Sequence, residues 1–273
     1  MPEFLEVHMT VTTGLLILFA VCLVLASIGF YKFVYFLSVG YGFAVSGCGI
    51  AIIAMGGYKN PLTIVLSLVL IAYGIRLGGF LLYRELKAAS FKDLFKQISG
   101  NDKPMPVFVK ATIWICVAAM YVTQVCPVFF RVTNENTNQT AGIIGAVIMV
   151  VALIIESVAD KQKSAAKAVN PKRFCDIGLY KIVRCPNYFG EMLFWTGVLV
   201  SGIGTLTGAL QWTLAIIGYI LIIYVMLSGA KRLEKRQNKN YGEDSEYQAY
   251  VKKTPIVFPL LPIHHLEQIK FIV

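Results

Sequence analysis

The sequence predicts an all-α polytopic membrane protein with about seven transmembrane helices, its N-terminus outside and its C-terminus cytoplasmic. Apolar residues fill 57% of the 273 positions and charged residues only 15%, against about 45–50% and 25% in soluble domains. Mean hydropathy is +0.67. Apolar runs long enough to cross a hydrocarbon core of about 30 Å recur along the chain. Finally, the basic residues gather in alternate loops.

The runs lie at roughly 11–31, 34–55, 62–83, 107–130, 139–158, 188–205 and 211–229. The first does not read as a cleaved signal peptide, because it is about 20 residues long, lacks a preceding basic region and is followed by further spans. Gly56 to Pro61 is a turn by composition, and Asn134 to Thr140 a polar hairpin tip. A helix-like stretch from Arg84 to Ile98 closes in a turn over Gly100 to Pro104. Residues 231–253 mix charges with Tyr241, Tyr247 and Tyr250, as expected of a tail folded onto the membrane surface. With no internal repeat, residues 1–273 read as a single membrane domain.

A net charge of +10 raises the question of nucleic acid, but the placement of the charges answers it. Of the 25 Lys and Arg residues, 20 lie in 84–110, 161–184 and 231–253, whereas Lys59 and Arg131 mark the alternate loops. The positive-inside rule makes those three regions cytoplasmic. The charge then serves orientation and contact with lipid headgroups, and no nucleic-acid partner is expected. Six cysteines form no C-x-x-C pair, so neither a disulfide scaffold nor a metal site is expected. The sequon at Asn138 falls on the expected outer side.

Polar groups inside spans are costly and need a partner or a purpose. Arg76 sits about two turns from the end of the third span, and Tyr73, three residues earlier, shares its helix face. The pattern fits either a packed Arg–carboxylate pair or an Arg directed at an anionic cofactor. Glu156 and Asp160 share a face at the end of the fifth span, followed by Lys163 and Lys167. That ladder fits a solvated helix end as well as a ligand site. Next, Pro186 suits the first turn of the sixth span. Arg184 just before it can meet phosphate, Asn187 and Glu191 share a face, and Gly190 permits close approach.

Taken together these segments resemble the C-terminal half of steroid 5-alpha-reductases and sterol C14-reductases. The elements that carry the likeness are Asp160-x-Gln162-Lys163, Gly178-Leu179-Tyr180, the run Arg184-Cys185-Pro186-Asn187-Tyr188-Phe189-Gly190-Glu191, Arg232-x-Glu234, Lys239-Asn240-Tyr241-Gly242, Tyr247-x-x-Tyr250 and Thr254-Pro255-x-x-x-Pro259. About 100 residues align in register, and Tyr73-x-x-Arg76 extends the match to the third span. The resemblance implies an NADPH site over residues 156–259 and a substrate-facing span and loop over 62–110. It assigns cofactor contacts to Arg76, Asp160, Lys163, Lys167, Arg184, Asn187, Tyr188, Glu191, Arg232 and Tyr250, and the substrate carbonyl to Tyr73 as catalytic residue.

Two positions depart from the family pattern. Many sterol reductases carry His where this chain has Cys185, and steroid reductases place an acid in the second span where this chain has Phe36 to Phe43 with none. The chain also continues past Pro259 to Val273, a stretch without a sequence-level physical account. No G-x-G-x-x-G follows a strand, the nearest match being Gly202-Ile203-Gly204 at an outer turn, which excludes a Rossmann site.

The expected activity is NADPH-dependent reduction of a conjugated double bond in a lipid-soluble substrate such as a steroid, sterol or related enone, in a bacterial inner membrane or the endoplasmic reticulum. A membrane methyltransferase of the isoprenylcysteine carboxyl type, using S-adenosylmethionine, shares the Arg-x-Pro-x-Tyr-x-Gly pattern and is the nearest rival. A non-enzymatic sterol- or lipid-binding protein on the same scaffold is the other.

Overall fold

The computed structural model describes residues 10–87, 105–134 and 138–272. The N-terminus, the Gly100–Pro104 turn, most of the stretch after Arg84 and the middle of the 134–140 hairpin tip lie outside those residues. Among the described residues all regular structure is helical. The α-helices are α1 (Val11–Ala26), α2 (Val39–Ala54), α3 (Pro61–Lys87), α4 (Val107–Thr133), α5 (Gln139–Val169), α6 (Pro186–Gly202), α7 (Gly208–Tyr241) and α8 (Ser245–Lys253). Among the described residues, six helical stretches are long and apolar enough to cross a membrane. The expected run at 188–205 is α6, whose 17 residues rise about 25 Å, less than the hydrocarbon thickness of about 30 Å.

Two helices run well past their apolar runs. α5 continues from the expected end at 158 to Val169, and α7 from 229 to Tyr241. The end of an apolar run marks where burial stops, not where the helix must. Residues 159–169 are rich in Ala and Lys and contain neither Gly nor Pro, so helix persists until Asn170-Pro171. These polar extensions carry much of the candidate site.

The chain divides into two compact units, residues 1–146 with 198–218 and residues 147–197 with 219–273. In the first, the buried residues of α1 are Gly14, Leu18, Cys22 and Ala26, a single stripe at intervals of four. α2 and α3 approach through small residues. A Cβ added at Gly74 would lie 2.1 Å from the Gly42 carbonyl oxygen, and one at Gly42 2.6 Å from the Gly78 nitrogen. Ser46 Oγ donates to the Ile71 carbonyl at 2.9 Å across the same contact. Such small-residue faces let backbones close where lipid offers no hydrophobic drive. Pro127 inside α4 leaves the Thr123 carbonyl without its helical donor, and the Cys126 thiol supplies one at 3.2 Å. Arg131, expected to mark a loop, is buried, and its Nη1 donates to the Ser201 carbonyl at 2.9 Å and Thr205 Oγ1 at 3.2 Å.

The second unit packs Cys185, Met192, Ala230, Leu233, Ile256 and Leu266 into one core. Its tyrosine-rich tail is built around a short helix. Asp244 caps α8 by accepting from the amides of Glu246 and Tyr247, at 2.8 and 3.3 Å. Tyr241, Tyr247 and Tyr250 then gather around Phe174, with Tyr250 stacked on it at 5.3 Å.

Candidate functional site

In the second unit the motif elements meet. Gln162 of Asp160-x-Gln162-Lys163 accepts the Leu179 amide at 2.9 Å. Gly178, with φ +56°, sits so close that a Cβ there would come within 2.2 Å of the Gln162 amide nitrogen. A left-handed backbone under a packed side chain requires glycine, which gives Gly178-Leu179-Tyr180 its physical reason. Tyr250 Oη donates to the Tyr180 carbonyl at 2.6 Å, bringing in a third element.

Beside this junction lies a cavity of about 180 Å³, whose lining includes Lys163, Lys167, Tyr180, Arg236, Asn240 and Tyr241. Three cationic side chains around one cavity suit an anionic ligand. Lys167 is committed in part to the fold, since its ammonium donates to the carbonyls of Pro171 and Arg173, at 3.0 and 2.6 Å, and to Tyr241 Oη at 2.9 Å. Burial is the main cause that raises the Tyr180 and Tyr250 hydroxyls above their ordinary range, which keeps both neutral. Burial likewise pushes the Cys185 thiol up to about 12. Cys185 is therefore a neutral packing group in the core, as the departure from His allows.

The other predicted residues are distributed as follows. Asp160 lies half-buried one turn before Lys163 on α5. Asn187 and Glu191 occupy one face of α6, as predicted. Glu191 Oε1 accepts from Trp195 Nε1 at 2.9 Å, and Asn187 Oδ1 is buried without a hydrogen-bond partner. Tyr188 packs at Gly229, where a Cβ would meet its ring at 3.5 Å. Arg184 is buried and held inside the protein, its Nη2 donating to Glu234 Oε1 at 3.1 Å and to the His264 carbonyl. Arg232 is exposed. Arg236, one turn further along α7, lines the cavity instead.

Sequence reasoning missed Arg236, Asn240 and Phe174. The signal was available for the first two, because Leu233, Arg236, Gln237, Asn240 and Tyr241 repeat at three- and four-residue intervals on a helix face.

In the first unit, Tyr73 is fully enclosed and donates to Tyr41 Oη at 3.1 Å. Arg76 lies half-buried one turn along the same helix. The second span brings no acid to Tyr73; it brings a tyrosine.

A family described as a protein of unknown function, DUF1295, matches residues 21–254. The chain belongs to the DUF1295 family. No curated protein and no solved structure matches it. The DUF1295 match spans both tyrosines and the whole cationic cavity. In this DUF1295 chain the residues that follow, up to 272, supply a further contact set. The Leu266 and Glu267 amides donate to Glu234 Oε2, at 2.8 and 3.2 Å, and Lys231 Nζ donates to the carbonyls of Ile269 and Ile272, at 2.9 and 2.7 Å. The tail without a sequence-level account is thus a strap anchored on α7.

Proposed function

We propose that this DUF1295 protein is a membrane reductase that uses NADPH to saturate a conjugated carbon–carbon double bond in a lipid-soluble enone, of steroid or sterol type. The observation that carries the reading is the convergence of Gln162, Gly178 to Tyr180 and Tyr250 beside a cavity bearing Lys163, Lys167 and Arg236. These are the segments whose sequence resembles the cofactor half of the steroid and sterol reductases.

The residues present fit such a group. The cationic lining suits phosphates, and the buried Asn187 Oδ1 is an acceptor awaiting a donor such as an amide. Lys163, Lys167 and Arg236 would hold phosphate, and Asn187 a polar edge. When bound, NADPH supplies a hydride to the electron-poor β-carbon and leaves as NADP⁺, while a proton added at the α-carbon completes the saturated ketone. The chain's own task is to bind, orient and exclude water, with a phenolic hydroxyl stabilising the negative charge that develops on the enone oxygen. Helices that are apolar over most of their length suit a substrate that partitions into lipid.

Purified protein in detergent should bind NADPH, measured by fluorescence titration, and oxidise it on addition of a steroid 4-en-3-one. Arg236→Ala and Asn187→Ala should each weaken that binding at least several-fold. Saturable binding of S-adenosylmethionine with none of NADPH rejects the reading in favour of a methyltransferase. Binding of neither cofactor, with tight binding of sterol, points to a lipid-binding protein.

A further inference from the structure

Arg131 stands close to the end of α4, and only 3% of it is exposed. Among the described residues of the first unit Glu85 is the sole acid, and it is paired with Lys32. Nor is Glu85 near. A Cβ at Gly142 would lie 3.0 Å from Arg131 Nη1 and 2.5 Å from Leu62 Cδ2, so Leu62 marks the part of α3 beside the guanidinium. Glu85 lies roughly six turns further along that helix, about 35 Å away. A guanidinium inside a helical bundle ordinarily pairs with an acid, and this one has none in reach.

Its donors are unevenly used. Nη1 donates to the Ser201 carbonyl at 2.9 Å, to Thr205 Oγ1 at 3.2 Å and to the Asn138 carbonyl at 3.4 Å. Nε and Nη2 are buried and have no hydrogen-bond partner. Those two nitrogens point the same way and form the planar fork that takes two oxygens of one oxyanion. A residue that served only to clamp carbonyls would not need the fork, and leaving two cationic donors buried without acceptors is costly. The contacts of Nη1 fix the plane of the group and so aim the other edge.

Depth points to the source of the oxygens. The 27 residues of α4 rise about 40 Å, against a hydrocarbon core of about 30 Å. Its ends therefore reach the headgroup level of a bilayer, where lipid phosphates lie. The fork is closed to water, which favours a ligand that arrives between helices from the lipid. Gly142 assists by laying bare backbone against the guanidinium, where any side chain would push the group aside.

We infer that the Nε and Nη2 fork of Arg131 binds the phosphate oxyanion of a lipid headgroup. The site lies within the first unit and does not depend on the reductase reading.

The test uses the whole protein in a neutral maltoside detergent, titrated with phosphatidylglycerol, with diacylglycerol, which lacks the phosphate, and with inorganic phosphate. Native mass spectrometry reads the affinity of the most tightly held lipid, and spectra of protein carrying nitrogen-15 arginine read the Nε–H groups. One Nε–H resonance should move downfield with phosphatidylglycerol and stay in place with diacylglycerol. Arg131→Lys keeps the charge and loses the fork. It should delete that resonance and weaken the tightest lipid binding by about ten-fold or more. Attraction of anionic lipid to a basic chain would survive this substitution, because net charge is unchanged. If Arg131→Lys does not fold, Thr205→Val, which removes one acceptor of Nη1, identifies the resonance by displacing it in the lipid-free protein.

Equal movement with inorganic phosphate supports the oxyanion site and makes the free ion its source. Absence of any moving Nε–H resonance overturns the inference. Undiminished lipid affinity in Arg131→Lys, or a moving resonance that neither variant touches, overturns it as well and places the lipid elsewhere.

Discussion

Arg184 Nη2 lies 3.1 Å from Glu234 Oε1, and both side chains are almost completely removed from solvent. The loop before α6 is thereby tied to the polar extension of α7. Around the same carboxylate, Glu234 Oε2 takes the Leu266 and Glu267 amides and Oε1 takes His265 Nδ1 at 3.0 Å, so the tail closes over the pair. Arg184, to which the resemblance assigns a cofactor contact, thus also ties segments of the fold together through Nη2.

Removing one member of such a pair strands the other in low dielectric. Glu234→Ala is expected to destabilise the protein by about 3–5 kcal/mol, lowering the thermal midpoint in detergent and opening residues 260–272 to protease. Pairing Arg184→Met with Glu234→Leu should recover much of that loss, because no uncompensated charge remains. Full stability of Glu234→Ala, with the tail still resistant, would remove the ion pair from this role.

The α2–α3 contact makes a sharper demand. Gly74→Ala places a methyl group 2.1 Å from the Gly42 carbonyl oxygen, whereas a Cβ at Gly79 meets nothing within 4 Å. Gly74→Ala should cost at least about 1–3 kcal/mol through forced separation of the helices. Gly79→Ala should be neutral or slightly stabilising, since alanine favours helix by up to about 1 kcal/mol. Thermal unfolding of the two variants side by side checks this; equal midpoints would mean that the helices yield easily.

The distribution of basic residues predicts orientation. Cysteines introduced at Thr140 and Lys239, in a background lacking the exposed Cys116, should react with an impermeant maleimide from opposite faces of sealed vesicles. The 239 site should be the one protected from outside. Reaction of both from one side contradicts the seven-span topology.

Much of this architecture is legible in the sequence because hydropathy and helix periodicity are local. The apolar runs locate the crossing helices, Pro186 opens α6, and the four-residue spacing of Asn187 and Glu191 already places them on one face. The same locality sets the limit. Apolar runs ended α5 and α7 too early because helix propensity continued where hydrophobicity did not.

What only the tertiary structure decided are the partnerships. Gln162 meets Leu179 across 17 positions, Tyr250 meets Tyr180 across 70, Arg184 meets Glu234 across 50 and Tyr73 meets Tyr41 across 32. Position along the chain marked Tyr73 and Arg184, and the resemblance marked Tyr250, as residues with a partner or ligand. Whether a buried hydroxyl or guanidinium faces ligand, carboxylate or carbonyl depends on which helix packs beside it, and that follows from close packing between segments remote in sequence.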